Sequence, residues 1–322
     1  MTYSPPFTLT PFILKKLQDI SRNIGVLVGS HATRPSVKLR RSNTIKTIQA
    51  SLSIEGNTLS LDQVTDILGN KRVLAPLKDI LEVKNAIKVY ENLKNFDPLK
   101  IKDLLKAHGI LMHGLIDEAG TFRSSSVGIL KGKEVAHVAP QAKRVYPLME
   151  DLFSFLRKNN TPWILKACIF HYELEFIHPF QDGNGRMGRL WQHLLLIKED
   201  PLFFFICVEE LIKNRQQEYY DVLSLSDKKG ESTPFIEFSL TAIDEALKIF
   251  EKSSFSVPND PLSRLMSAKE RLIKPFTRKD YRALYKAIST ATASRDLLFG
   301  VERGILEKQG SHNQTLYAFI II

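Results

Sequence analysis

The 322-residue chain carries 45 Lys and Arg against 35 Asp and Glu, a net charge of +10, with 43% hydrophobic and 25% charged residues. That composition excludes a disordered or fibrous chain and leaves room for roughly two packed domains. No apolar run reaches membrane-spanning length, the N-terminus lacks a signal-peptide pattern, and Cys168 and Cys207 sit in apolar runs without metal-ligand spacing, so a reducing cytoplasm is the expected location and no membrane partner is expected. The basic surplus favours acidic partners: nucleotides, nucleic acid or anionic proteins.

A short helix is predicted from Pro11 to about Ile20, followed by a basic segment holding Arg34, Lys38, Arg40, Arg41 and Lys46. From Asn43, Ile45, Ile48, Gln49 and Leu52 recur at helical spacing and carry Ser51 and Glu55 on a neighbouring face. Gly56-Asn57 ends this helix, and Ser60-x-x-Gln63 is a capping box for the next, which Gly69 stops. Glu55 in a last turn opposes the helix dipole by about 0.3–1 kcal/mol, so it is either solvated or paired with a distant cation. Residues 77–119 read as two helices, with His108 and His113 as ordinary core or surface histidines. Val127 to Leu130 and Val135 to Val138 form a strand, a turn and a strand, and an isolated hairpin is marginal in water unless it packs or receives a partner strand.

Helices resume at Val145–Leu156 and from Thr161-Pro162 to Ile177, the second apolar nearly all round and hence central. Further helices are predicted around Asn214–Ser226 and Pro234–Lys252, and Ser253–Pro261 reads as a linker. Beyond it, Thr277-x-x-Asp280 opens a helix to Ile288, a second spans about Ala291–Arg303, and two strands follow. That order is the outline of a winged helix. From Pro258 onward there are eleven basic and six acidic residues, and Arg295 and Arg303 lie on the candidate recognition helix, which would engage DNA or a protein.

The densest chemistry lies in His178-Pro179-Phe180-Gln181-Asp182-Gly183-Asn184-Gly185-Arg186-Met187-Gly188-Arg189. Pro179 forces His178 out of the helical region. Asp182 to Gly185 suits a tight turn whose amides form an anion nest, and a helix starting near Arg186 adds its positive end. Arg186, Arg189 and His193 fall on one side of that helix, away from Met187, Leu190 and Trp191. Two guanidiniums, a nest and a dipole suit a polyphosphate, Asp182 could hold its Mg²⁺, and an imidazole with an ordinary pKa of about 6.5 can take a proton from an attacking hydroxyl.

This run matches the signature of Fic-domain proteins position by position, and the helix order resembles that family over roughly residues 40–250. The resemblance implies transfer of AMP from ATP and Mg²⁺ to a side-chain hydroxyl of a target protein or of the chain itself. It makes His178 the base and Asp182 the metal ligand. It gives Gly183, Asn184 and Gly185 the α- and β-phosphates, Arg186 the β-phosphate and Arg189 the γ-phosphate. Val127, Gly128, Ile129 and Leu130 correspond to a flap that aligns the target segment, and Asn214, Tyr219 and Tyr220 to a segment near the nucleotide base. Ser51-Leu52-Ser53-Ile54-Glu55-Gly56-Asn57 resembles the family's inhibitory motif, in which the glutamate pairs with the arginine here numbered 189 and blocks the γ-phosphate. In some relatives that glutamate also helps remove AMP.

The expected architecture is mainly α: a Fic helical core with a β-hairpin flap and a small C-terminal winged helix-turn-helix domain. Residues 1–100 form an N-terminal helical region with the inhibitory helix at about 43–55, 101–252 the catalytic core, 253–261 a linker and 262–322 the winged helix. ATP, a target protein, DNA or a protein at the winged helix, and a second copy of the chain are the expected partners. Transfer of UMP, phosphocholine or phosphate on the same scaffold is the rival chemistry.

Overall fold

The computed structural model describes residues 4–29, 37–125, 128–131, 134–158, 160–255, 260–269, 271–285, 288–310 and 315–320. The chain is mainly helical and divides into two compact units, one from residues 1–29 and 38–250, the other chiefly from 251–322. Among the described residues, no helix is long and apolar enough to cross a membrane.

The first unit opens with α1 (Pro11–Gly29), nine residues longer than its predicted end at Ile20, and α2 (Val37–Ile54). The basic stretch is therefore the first two turns of α2, six residues ahead of the predicted start at Asn43. Arg40 and Arg41 are exposed there, and the sequence of those turns shows no apolar period, so periodicity alone missed them. Arg34 lies outside the described residues. α3 (Leu61–Leu68) begins at the Ser60/Gln63 capping box and ends at Gly69, and α4 (Leu77–Glu91) and α5 (Ile101–Leu111) follow.

β1 (Gly128–Lys131) and β2 (Glu134–Val138) pair antiparallel, with an irregularity between Ile129 and Leu130. Val127 and the predicted turn at Gly132-Lys133 lie outside the described residues. α6 (Ala142–Lys158), α7 (Trp163–Ile177), α8 (Asn184–Glu199), α9 (Glu209–Asn214), α10 (Gln216–Lys229) and α11 (Thr233–Phe255) complete this unit's helices.

α7 and α8 form its centre. Both are buried on almost every side, α7 through Ile164, Leu165, Phe170 and Leu174, and α8 through Met187, Leu190, Trp191 and Leu195. Gly188 is what lets them approach. A Cβ there would stand 2.6 Å from His171 Cδ2 and 3.1 Å from Glu175 Oε1, well inside ordinary contact. Replacing Gly188 by alanine is therefore expected to cost about 1–3 kcal/mol in urea unfolding, because a buried ring and a helix axis must shift together.

The second unit holds α12 (Pro261–Lys269), α13 (Arg278–Leu284) and α14 (Thr290–Glu302), with β3 (Leu306–Gln309) antiparallel to β4 (Leu316–Phe319). Thr277 and Asp280 form the capping box of α13, which ends four residues before the predicted Ile288. Phe276 adds a third, one-residue rung to β4 through Tyr317. Leu265, Phe276, Tyr281, Leu297 and Leu306 form the core. Arg264 is bound in bidentate fashion by Asp296, both contacts 2.7 Å, and Tyr281 donates to the same carboxylate at 3.1 Å.

Candidate active site

The end of α7 sets the site. His178 stands in the left-handed region, φ 49° and ψ 59°, rather than in the extended region that a following proline usually favours. Such a conformation in a non-glycine residue is costly and persists only when its surroundings over-determine it. Arg123 supplies that constraint. Its backbone N–H donates to Pro179 O at 2.9 Å, and its guanidinium donates to His178 O at 2.7 Å, to Ile177 O, to Ser125 O and to Pro140 O. One buried side chain thus closes the C-terminal end of α7 and fastens both roots of the β1–β2 hairpin beside His178. The His178 ring lies with Nδ1 3.3 Å from Glu175 O. A carbonyl only accepts, so Nδ1 bears the proton and Nε2 the lone pair a base needs.

The loop after His178 is held from below. Phe180 is fully buried and stacks on His108 with centroids 3.7 Å apart. His108 Nδ1 accepts from Gly120 N–H at 2.9 Å, which leaves Nε2–H to donate to Asp182 O at 3.0 Å. Both sides of the ring are committed, so His108 is a fixed neutral spacer under the loop and not the ordinary histidine its sequence context suggested. Asn184 accepts from Phe180 N–H and donates to Phe180 O, both at 2.9 Å, so its side chain staples the loop and only its backbone remains for a ligand.

Gly183, at φ 87°, turns the chain into α8, which starts at Asn184, two residues before the predicted Arg186. A side chain at Gly183 would strike Met112 Sδ at 2.8 Å. The first intrahelical bond is Met187 N–H to Gly183 O, so the amides of Asn184, Gly185 and Arg186 precede the helical ladder and face outward as donors.

Two arginines rise from this turn. Arg186 contacts Glu82 on α4 and Asp182, each at 3.1 Å, and Glu82 is held in turn by Asn57 Nδ2 at 2.8 Å. Arg189, with no exposed side-chain surface, donates to Ser51 Oγ at 3.2 Å, to Ser51 O at 3.0 Å and to Glu55 Oε1 at 2.7 Å. The Glu55 carboxylate also lies directly over Gly185, in the space a Cβ would need. Arg186 Nε and Arg189 Nη1 are buried without a partner. From α10, Gln216 and Tyr220 both donate to Ile54 O, at 2.8 and 3.2 Å, and so grip the end of α2 that presents Glu55.

A nest of amides, two unpartnered guanidinium nitrogens and a carboxylate oxygen already lodged among them make a fitting cradle for phosphate oxygens. Asp182, half exposed, uses Oδ1 toward Gly183 N–H and Arg186, and a hard cation accompanying phosphates needs such a single carboxylate.

The remaining sequence-nominated residues separate. Gly128, Ile129 and Leu130 lie in β1, whose root is tied to His178 through Arg123. Asn214 is exposed at the end of α9. Tyr219 is 1% exposed, and its hydroxyl meets His171 Nε2 at 3.1 Å and Glu175 at 3.5 Å. It is a core residue, and its neighbour Tyr220 is the one that reaches the site side. Arg123, His108, Glu82 and Gln216 carried no sequence signal: each acts on a residue at least 55 positions away.

Burial dominates the electrostatics. It works against the Arg189 charge, but Glu55, Tyr219 and Glu175 together outweigh it and hold the guanidinium above its ordinary range. Burial, then the Glu55 charge, pushes the Glu175 carboxyl up to about 8, and burial pushes Glu209 up to about 7. Burial lowers His108 and His193 to about 4 and His171 to about 3.

These shifts set a stability profile. Between about pH 6.5 and 8 the histidines are neutral folded or unfolded, whereas Glu175 and Glu209 keep protons only in the fold, so stability falls as pH rises. Below about pH 6.5 the three histidines take protons only when unfolded, so stability also falls as pH drops, offset in part by the two carboxyls. Urea unfolding is expected to show a maximum near pH 6.5 and a decline above it of about 1.4 kcal/mol per pH unit for each proton involved. Glu175→Gln should flatten that upper limb; an unchanged limb would contradict the assignment.

Comparison with known proteins agrees with this architecture. The model of the Fic/DOC family matches residues 98–196. The protein adenylyltransferase Fic of Aedes aegypti is 31% identical over 222 residues, 64% of this chain and 41% of that protein. Protein adenylyltransferase fic-1 of Caenorhabditis elegans is 28% identical over 271 residues, 79% and 50% respectively. The chain spans about half the length of the curated relatives it matches. A crystal structure of a Fic family protein from Desulfovibrio desulfuricans G20 superposes with a TM-score of 0.77 and 39% identity over 99% of this chain and 98% of that one. At that identity over the full length of both chains, this protein belongs to the Fic family.

Proposed function

We propose that the chain is a protein adenylyltransferase that moves AMP from ATP to a Ser, Thr or Tyr hydroxyl of a target protein or of itself. The observation that carries this is the Glu55 carboxylate seated on Gly185 and Arg189, an anion in the place a triphosphate would need. In this reading the amides of Gly183, Asn184 and Gly185 bind the α- and β-phosphates, Arg186 the β-phosphate and, once Glu55 has left, Arg189 the γ-phosphate. His178 Nε2 takes the proton of the acceptor hydroxyl as its oxygen attacks the α-phosphorus. The bond from that phosphorus to the bridging oxygen breaks, and pyrophosphate departs. The fixed tautomer of His178 and the outward amides supply what such a transfer needs, position and charge stabilisation. Asp182 would hold the Mg²⁺ that accompanies ATP and neutralises its phosphate charge. The hairpin beside His178 aligns the target strand, and Asn214 and Tyr220 flank the nucleotide base.

Glu55, in the turn that ends α2, makes the resting enzyme autoinhibited. In this division residues 1–100 carry the inhibitory helix, 101–252 the catalytic core, 253–261 the linker and 262–322 a winged helix, with a cytoplasmic location. Transfer is tested with ATP labelled at the α- or the γ-phosphate. AMP transfer requires that only the α-label enter protein and that His178→Ala abolish it; γ-label incorporation would mean phosphorylation and refute the proposal. For the second unit, the order α12, the Phe276 rung, α13, α14, β3, β4 and the exposed Arg295 and Arg303 on or just beyond α14 favour duplex DNA as partner. A salt-dependent gel shift abolished by Arg295→Glu would support it, and no shift at low salt would remove it.

A further inference from the structure

Arg186 stands between two carboxylates of unequal freedom. Asp182, four positions earlier, has a half-exposed side chain, and the oxygen it offers Arg186 Nη2 at 3.1 Å also accepts the Gly183 N–H. Glu82 comes from α4 and is buried, and its Oε1 accepts from Arg186 Nη1 at 3.1 Å. One turn further along α4, buried Asn85 donates to His113 O at 2.8 Å, so this face of the helix is tied down on either side of the contact.

The second oxygen of Glu82 decides what residue 82 must be. Oε2 accepts from Asn57 Nδ2 at 2.8 Å. The Asn57 amide is not free to turn round, because Nδ2 also donates to Asp79 O at 3.1 Å and Oδ1 accepts from Leu59 N–H at 3.1 Å. Both side chains that Glu82 meets here therefore present donors. Of the side chains of that length, only a carboxylate accepts on both oxygens. A glutamine would meet one of the two donor to donor, and burial keeps water from repairing the mismatch.

The consequence falls on Arg186. Left with Asp182 alone, its two terminal nitrogens would close on that carboxylate as a bidentate pair. The charge that a phosphate needs would then be spent on Asp182, and Asp182 on the arginine. Glu82 prevents this by holding Nη1 from a fixed point.

We propose that Glu82 is a positioning residue of the phosphate site: it anchors Arg186 beside the amide nest, where the guanidinium serves the β-phosphate, and Asn57 fixes Glu82 in turn. The proposal rests on the reading of Arg186 as a β-phosphate ligand given above. Asn57 lies two residues beyond Glu55, so the turn that brings a carboxylate to Arg189 also sets the place of Arg186.

ADP and AMP differ by the β-phosphate alone, so the ratio of their dissociation constants isolates what Arg186 and its anchor contribute. Calorimetry on the full chain carrying Glu55→Gly, in EDTA so that no cation bridges Asp182 to a phosphate, should show ADP bound more tightly than AMP. Glu82→Ala should cut that preference roughly tenfold and leave the AMP constant unchanged. Glu82→Gln, which keeps the volume and one acceptor, should cut it about threefold. Arg186→Met should abolish the preference, and adding Glu82→Ala to it should change nothing further. A parent without a preference for ADP would refute the β-phosphate reading of Arg186 itself. A parent with that preference, kept in full by Glu82→Gln or by folded Glu82→Ala, would overturn the positioning role. So would a loss of AMP binding equal to the loss of ADP binding in Glu82→Gln, the variant that decides the matter if Glu82→Ala does not fold.

Discussion

Glu55→Gly is expected to raise self-labelling from α-labelled ATP by up to roughly a hundredfold, and adding His178→Ala should return it to background. The magnitude follows from occupancy. A site blocked 99% of the time needs a preference of about 2.7 kcal/mol for the closed arrangement. An exposed ion pair, worth about 0–1 kcal/mol, would not supply it. The observed pair is better placed. Arg189 is fully shielded, its bond to Glu55 is 2.7 Å long, and Ser51 holds the same guanidinium. A charge-assisted bond of this kind contributes about 1.5–3 kcal/mol. The helix that presents Glu55 is anchored by buried Ile45, Ile48 and Leu52 and gripped at Ile54 O by Gln216 and Tyr220. Glycine removes the carboxylate and leaves that anchoring in place. Labelling equal to wild type would end the inhibitory role.

The second large effect should come from a residue that touches no substrate. Arg123→Ala leaves the Ile177 and His178 carbonyls without the donor that holds them and cuts the tie between α7 and the hairpin roots. Stability is expected to fall by about 3 kcal/mol in urea, since each buried group left unpaired costs about 1–3 kcal/mol and water recovers part of it. Catalysis should fall further than stability explains. Without the guanidinium, His178 loses the bond to its carbonyl that helps hold it at positive φ, and a displacement near 1 Å costs about a hundredfold in rate. On the Glu55→Gly background, Arg123→Ala should therefore label at about one hundredth of the parent at temperatures where it is fully folded. Arg123→Lys should not rescue it, because one ammonium cannot reach carbonyls on both α7 and the hairpin roots. Parental labelling by the folded double variant would show that His178 is positioned by something else.

Much of this was legible along the chain because it is local. The Ser60/Gln63 and Thr277/Asp280 caps, the stop at Gly69, the end of α7 before Pro179 and the turn at Gly183 each follow from side chains within a few positions. The boundaries that slipped were those where local pattern is weak. The basic turns of α2 lack an apolar stripe, and α8 begins at Asn184 because that side chain is consumed by Phe180, which no spacing reveals.

What the sequence by itself determined is the chemistry available at residues 178–189: an imidazole released from a helix, an amide nest and two guanidiniums within twelve positions. What only the tertiary structure decided is who holds them. Arg189 meets Glu55 across 134 positions, His108 meets Asp182 across 74, and Arg123 meets His178 across 55. Pattern along a chain encodes caps and turns because those act over one helical turn. Partners for buried polar groups are chosen by which helices pack. α2 and α4 pack on α8 while α10 grips the end of α2, and this packing converts a phosphate cradle into one already filled by the protein's own carboxylate.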